Sequence, residues 1–130
     1  MNNIIKLLIL LVITGLVSGC VRTATIEIYN NSGVALDYNF GGTTGVILYK
    51  DSAVLDYTSN GYEIYSDIGT WIYPRDIPHS GENGDYFDGN LKVQIESDGR
   101  VFALKIDDKP PVSIIEYDQP SGYPLVPENN

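Results

Sequence analysis

Residues 91–106, LKVQIESDGRVFALKI, give the clearest indication of the fold class of this chain. Apolar and polar residues alternate over 91–96, and a period of two is typical of a strand with one buried face. The turn residues Ser97-Asp98-Gly99-Arg100 come next, and a mostly apolar stretch, 101–106, follows them. Because Asp-Gly is a preferred pair in the tight turns that join antiparallel strands, we predict a β-hairpin here.

Similar patterns recur upstream and downstream of this hairpin. We predict a second hairpin over 24–40, because Asn30-Asn31-Ser32-Gly33 contains residues that tolerate the positive φ of tight turns. A last strand is expected over 112–117, after two prolines that cannot continue a ladder. The remaining predicted strands are 46–50, 53–58, 62–66 and 70–73.

These patterns predict an all-β protein. No segment between residues 24 and 117 repeats its apolar residues at helical spacing, so we expect about eight short strands with mainly antiparallel pairing. Such strands close either as a β-sandwich or as a small β-barrel, and both remain open at this stage. The length of 130 residues leaves room for one domain.

The N-terminal 20 residues have the pattern of an export signal. Lys6 precedes an apolar run that is too short to span a membrane comfortably, since a span needs about 20 apolar residues. The boundary Val17-Ser18-Gly19-Cys20 resembles the lipobox of bacterial prolipoproteins, in which the cysteine is lipidated and becomes the new N-terminus. This resemblance implies lipidation of Cys20 and a cell-envelope location. By the same resemblance, an Asp directly after the lipidated cysteine would imply retention in the inner membrane. This position is Val21, which favours the outer membrane if the host has one.

The predicted organisation has four parts. A signal peptide, 1–19, is followed by a lipidated N-terminus and short tether, 20–23, and by a β domain, 24–117. The tail 118–130 contains three prolines, and we expect it either to dock along a sheet edge or to remain extended and unpacked.

The charge of the chain excludes one class of partner. The formal net charge is −9, and removal of Lys6 with the signal would leave −9 − 1 = −10. A chain this acidic, without a basic cluster, lacks the cations that neutralise phosphates, so we predict no binding to nucleic acid. Membrane attachment is expected through the lipid on Cys20 instead.

The stretch 74–90 is long for a loop between two strands. It contains the adjacent pair His79-Ser80, but neighbouring loop residues without a further acid-base partner do not make a catalytic site, and we assign them no role. Glu82, Asp85 and Asp88 are oxygen donors of the kind that calcium prefers, although their spacing does not match an EF-hand. We predict no metal, no cofactor and no catalytic residue.

Aromatic residues supply the candidate partner-binding surface. If Ile64 and Ile72 face the core, alternation directs Tyr65, Trp71 and Tyr73 outward. Exposed Tyr and Trp are enriched in protein interfaces, and the alternative is that these residues reflect strand propensity alone. The loop that follows adds two further candidates, Tyr86 and Phe87.

Three functions therefore compete. The favoured one is a non-catalytic module that binds another envelope protein as an assembly accessory, an immunity protein or a receptor-masking factor, since acidic surfaces associate rapidly with basic partners. The others are an envelope-acting hydrolase that uses paired carboxylates, and a structural surface lipoprotein without a specific ligand.

The lipobox generates the first testable prediction. Replacing Cys20→Ser removes the thiol that would be acylated, so the precursor should remain uncleaved or mislocalised and take up no labelled palmitate. Metabolic labelling of both proteins in a bacterial host measures this. A wild-type protein that takes up no label and is recovered as a soluble periplasmic species would contradict the prediction.

Overall fold

A computed structural model describes residues 24–58, 60–78 and 85–129, which form two four-stranded sheets. In chain order, the strands are β1 (Thr25–Asn30), β2 (Leu36–Phe40), β3 (Thr43–Ile47), β4 (Ser52–Asp56), β5 (Tyr62–Ser66), β6 (Gly69–Tyr73), β7 (Asn90–Ile95) and β8 (Val101–Ala103). The first sheet has the order β4-β1-β7-β8, and the second has the order β3-β2-β5-β6. Within the described ranges no helix is long and apolar enough to cross a membrane.

The predicted all-β class is confirmed. The two sheets are not closed into a barrel, and one apolar core takes side chains from both, as expected of the sandwich alternative. Ile28 and Val93 from the first sheet are buried in this core together with Leu36 and Ile64 from the second.

The hairpin predicted over 91–106 is also confirmed. β7 and β8 pair antiparallel, with Ile95 opposite Val101, and Gly99 has the positive φ of +82° that the turn was expected to need. β8 is shorter than predicted, since it ends at Ala103. The chain then leaves the hairpin, and the N–H of Lys105 donates to the Tyr117 hydroxyl at 2.8 Å.

The hairpin predicted over 24–40 is wrong. β1 and β2 lie in different sheets, and β1 pairs antiparallel with β4 and parallel with β7. The residues 30–33 turn the chain, as predicted, but they direct it across the sandwich. Local turn chemistry does not specify whether a strand returns beside its predecessor or enters the facing sheet.

Asn30, at the end of β1, is fully buried at this crossing. Its Nδ2 donates to the carbonyls of Val34 and Ile47, at 2.7 and 2.8 Å. Its Oδ1 accepts from the N–H and the hydroxyl of Ser32, at 2.9 and 2.7 Å. Val34 leads into β2 and Ile47 ends β3, so one amide ties together the β1–β2 and β3–β4 crossings, which are two of the four places where the described strands change sheet.

The strand predicted over 112–117 is wrong as well. This segment is irregular and lies over the outer face of the first sheet, where it covers Gln94. The Gln94 amide donates to the carbonyl of Val112 at 3.0 Å and accepts from its N–H at 2.9 Å. A side-chain amide therefore supplies the partner that a neighbouring strand would otherwise provide.

The C-terminal segment is docked, which was one of the two alternatives predicted for it. Leu125 and Val101 exchange backbone hydrogen bonds of 3.0 and 2.8 Å at the free edge of β8. The N–H of Glu128 donates to the carbonyl of Ile72 at 2.7 Å, at the free edge of β6. The last turns of the chain thus cover the β8 and β6 edges on one side of the sandwich.

Gly99 offers a test of how the sheets fit together. A Cβ at Gly99 would lie 2.7 Å from the Trp71 ring, whereas nothing lies within 4 Å of a Cβ at Gly33, whose φ of +95° is also positive. Gly33→Ala should cost about 1 kcal/mol of unfolding free energy through backbone strain. Gly99→Ala should cost about 1–3 kcal/mol more, because the buried ring must move. Urea denaturation measures both, and equal losses would show that the close approach to Trp71 is unimportant.

Candidate interaction surface

The predicted orientation of β6 is wrong. Trp71 and Tyr73 are each 4% exposed, whereas Ile72 is 39% exposed. The register explains this result: Trp71 lies opposite the fully buried Ile64, and directly opposite residues on paired strands share a face. The isoleucine of β6 faces out so that the larger rings can fill the space between the sheets.

Contacts with the other sheet hold these two aromatic residues in place. The Trp71 ring lies against Gly99 in the β7–β8 turn, and the Tyr73 hydroxyl donates to the Gly99 carbonyl at 2.6 Å. Burial raises the pKa of Tyr73 above the usual tyrosine range, because the phenolate would be desolvated. Both residues therefore join the two sheets and do not project into solvent.

Tyr86 and Phe87 also belong mainly to the interior. Tyr86 is 7% exposed, and its hydroxyl donates to the Asp118 carbonyl at 2.7 Å. Phe87 is half-buried, with its ring centroid 6.3 Å from that of Tyr123. The exposure predicted for Trp71, Tyr73 and Tyr86 is thus wrong, since the long loop and the C-terminal segment both pack on the core.

Tyr65 is the one member of the predicted set that is exposed, at 40%. It lies on the outer face of the second sheet, and its hydroxyl donates to a carboxylate oxygen of Glu63. This hydrogen bond raises the pKa of Tyr65, because it stabilises the protonated phenol beside a negative charge. Asp37 on β2 lies directly opposite Tyr65.

The sequence analysis missed four exposed apolar residues near Tyr65. Val46, on β3, lies on the other side of Asp37 from Tyr65, so the three form one row across the outer face of the second sheet. Leu48 and Tyr49 follow β3 directly, and Ile68 occupies the β5–β6 turn at the same end of the sandwich. We call these five residues the distal surface: Val46, Leu48, Tyr49, Tyr65 and Ile68, which are 56%, 60%, 45%, 40% and 46% exposed.

One feature of the sequence could have revealed this surface. Residues 46–49 are four consecutive apolar residues, VILY, directly before Lys50-Asp51. Strand side chains alternate between faces, so such a run cannot be wholly buried in a sheet with one solvated face. A hydrogen bond of 3.0 Å from the Asp51 N–H to the Leu48 carbonyl closes the turn that presents Leu48 and Tyr49.

The two broad surfaces of the sandwich differ in their coverage. The segment after β8 lies on the outer face of the first sheet and buries Gln94 and Phe102. In the described ranges no comparable segment lies on the outer face of the second sheet, where Val46 and Tyr65 are exposed. Of the nine large apolar residues that are exposed in the described ranges, five belong to the distal surface, and Ile72 on β6 also lies in the second sheet.

The stretch 74–90 shows no metal centre among its described residues, 74–78 and 85–90. Asp85 and Asp88 line two separate shallow grooves, of about 380 and 320 Å³. No group of three or more His, Cys, Asp or Glu residues is arranged to hold a metal in the described ranges. His79, Ser80 and Glu82 lie outside the described residues, as do Cys20 and the whole signal segment.

Comparisons with models of known protein families, with characterised proteins and with solved structures give no match.

The opposite environments of Trp71 and Tyr65 give a paired prediction. Trp71→Ala removes a buried ring between the sheets and should lower the unfolding free energy by about 3–5 kcal/mol. Tyr65→Ala removes an exposed ring and should change the unfolding free energy by no more than about 0.5 kcal/mol. Thermal and urea denaturation of the two variants test this, and a small loss for Trp71→Ala would contradict the assignment of this residue to the core.

Proposed function

We propose that this chain is a lipid-anchored protein of the bacterial cell envelope whose β domain binds another envelope protein without catalysing a reaction. The observation that carries the proposal is the distal surface, an apolar and aromatic surface on a firmly packed sandwich. Large exposed apolar patches are uncommon on monomeric proteins and usually mark interaction sites. The anchor rests on the lipobox-like Val17-Ser18-Gly19-Cys20, and the outer membrane is the favoured location where the host has one.

The position of β1 relates the proposed anchor to the distal surface. β1 begins at Thr25, five residues after Cys20, so a lipid on Cys20 would hold this end of the sandwich close to the membrane. β1 ends at Asn30, which is hydrogen-bonded through its backbone to Lys50 and Asp51. A six-residue strand is about 20 Å long, so the Leu48-Tyr49 turn lies at the end directed away from the anchored end.

The charge around the distal surface favours a basic partner. Three acidic residues lie beside this surface: Asp37 is opposite Tyr65, Glu63 is hydrogen-bonded to Tyr65, and Asp51 closes the turn that carries Leu48 and Tyr49. The one basic residue in this turn is Lys50. Opposite charge on the partner would speed association, and this part of the interaction would weaken as salt screens it.

The test of the proposed function is crosslinking followed by affinity capture from envelope extract, with the lipidated protein as bait. In the double variant Leu48→Ser/Tyr49→Ser, recovery of the captured partner should fall by about tenfold or more, because buried aromatic and aliphatic anchors dominate interface energies. The unfolding temperature should change little, since both side chains are exposed.

Ile115 supplies a matched control. It is 81% exposed and lies in the segment that covers the first sheet, away from the distal surface. Ile115→Ser should leave capture unchanged. An equal loss in Ile115→Ser and the double variant would contradict the proposed site, and a wild-type protein that captures no defined partner would contradict the proposed function.

A further inference from the structure

The edge of β3 has backbone groups that point away from its own sheet. The N–H of Gly41 donates to the carbonyl of Gly61 at 3.0 Å, directly beyond the paired part of β2 and β5. Every second residue of β2, counted back from Gly41, is therefore hydrogen-bonded to β5. Hydrogen-bonded and non-bonded pairs alternate along antiparallel strands. The remaining residues of β2 are therefore hydrogen-bonded to Thr43, Gly45 and Ile47 of β3. The N–H and C=O groups of Thr44 and Val46 therefore point outward from the free edge of β3.

The other three sheet edges are covered or guarded. Leu125 pairs with the β8 edge, and the side chain of Asn129 bonds the β6 edge through the Thr70 carbonyl and the Ile72 N–H, at 2.7 and 3.0 Å. On β4, the Asp51 carboxylate accepts from the Ser52 N–H at 2.8 Å, and the strand ends in the charged Asp56.

β3 lacks these protections. Its sequence, TTGVI, contains no charge and no proline, which are the usual guards of an exposed edge. Within the described part of the chain, no group is hydrogen-bonded to the outward N–H and C=O of Thr44 or Val46. Val46, which is 56% exposed, belongs both to this edge and to the distal surface.

We propose that β3 accepts an extended, basic segment of a partner protein, which adds as a fifth strand to the second sheet. This proposal rests on the proposed function and specifies how the partner is held. Backbone hydrogen bonds from Thr44 and Val46 bind the added strand, and the exposed Val46 side chain contacts its apolar residues. Lysine or arginine side chains on the segment face the nearby carboxylates of Asp37 and Asp51.

The acidic character of the chain argues against a second copy as the occupant. Each copy carries a formal net charge of −9, so pairing of two β3 edges would bring like charges together. A basic segment has the opposite charge and gains from the same surroundings.

Val46→Pro and Val54→Pro form a matched pair for the test. Both valines are exposed, at 56% and 65%, and both lie on edge strands. The bonds from Asn30 N–H to the Asp51 carbonyl and from Tyr57 N–H to the Ala24 carbonyl show that the Val54 N–H also points outward. Each proline thus removes one outward donor without removing a ladder hydrogen bond.

The probe is a synthetic octapeptide, Lys-Val-Lys-Thr-Lys-Val-Lys-Thr, and its counterpart with Glu at each Lys position. Titration into the wild-type protein should show binding of the Lys peptide and none of the Glu peptide. Val46→Pro should weaken binding by about tenfold or more, while Val54→Pro should leave it unchanged, because strand addition uses main-chain hydrogen bonds along one edge. Equal effects of the two prolines, or no binding of the Lys peptide, would overturn the proposal.

Amide hydrogen exchange keeps the test independent of the folding of the proline variants. In the wild-type protein, the Lys peptide should slow exchange at Thr44 and Val46 and leave Val54 unaffected. Protection at Val54 would overturn the proposal. Exchange at Thr44 that becomes slower at higher protein concentration without peptide would also overturn it, because it would identify a second copy as the occupant. Envelope capture that is lost in Leu48→Ser/Tyr49→Ser but retained in Val46→Pro would overturn strand addition alone and leave the proposed function standing.

Discussion

The buried side chain of Asn30 is the constraint on which the sandwich depends. Its amide is hydrogen-bonded to the carbonyls of Val34 and Ile47 and to the N–H and hydroxyl of Ser32, so it is satisfied only when the β1–β2 and β3–β4 crossings are both in place. An apolar residue at this position would leave several buried polar groups without partners, each costing about 1–3 kcal/mol. The backbone of Asn30 is also hydrogen-bonded to Lys50 and Asp51, so β4 begins beside the end of β1. The Leu48-Tyr49 turn therefore lies at this end of the two strands.

Side-chain amides also take the place of neighbouring strands elsewhere in the molecule. The Gln94 amide is hydrogen-bonded to both the N–H and the C=O of Val112, and the Gln119 amide is hydrogen-bonded to those of Ala103. The Asn129 amide is hydrogen-bonded to the edge of β6. An amide side chain has the same donor and acceptor as a peptide unit, so it can satisfy an edge without extending the sheet. The irregular segments after β8 are held against both sheets in this way.

This coverage is uneven, and the unevenness leads to the functional proposals. The segment after β8 covers part of the outer face of the first sheet and the edges of β8 and β6. The outer face of the second sheet and the edge of β3 are left uncovered by the described residues, and they carry Val46 and Tyr65. An edge with unbonded backbone groups beside exposed apolar side chains suits recognition of an extended polypeptide, since the edge supplies affinity and the side chains supply selectivity.

Local sequence patterns are sufficient to predict the all-β class, the 91–106 hairpin with Gly99 at its turn, and the locations of most strands, because alternation and turn chemistry are local properties. Long-range contacts place β1 and β2 in different sheets, leave 112–117 irregular, and bury Trp71 and Tyr73 while Tyr65 is exposed. Alternation shows which residues of a strand share a face, but not which face is inside. That choice depends on contacts between residues distant in sequence, as when Trp71 packs against Gly99, and no local pattern contains them.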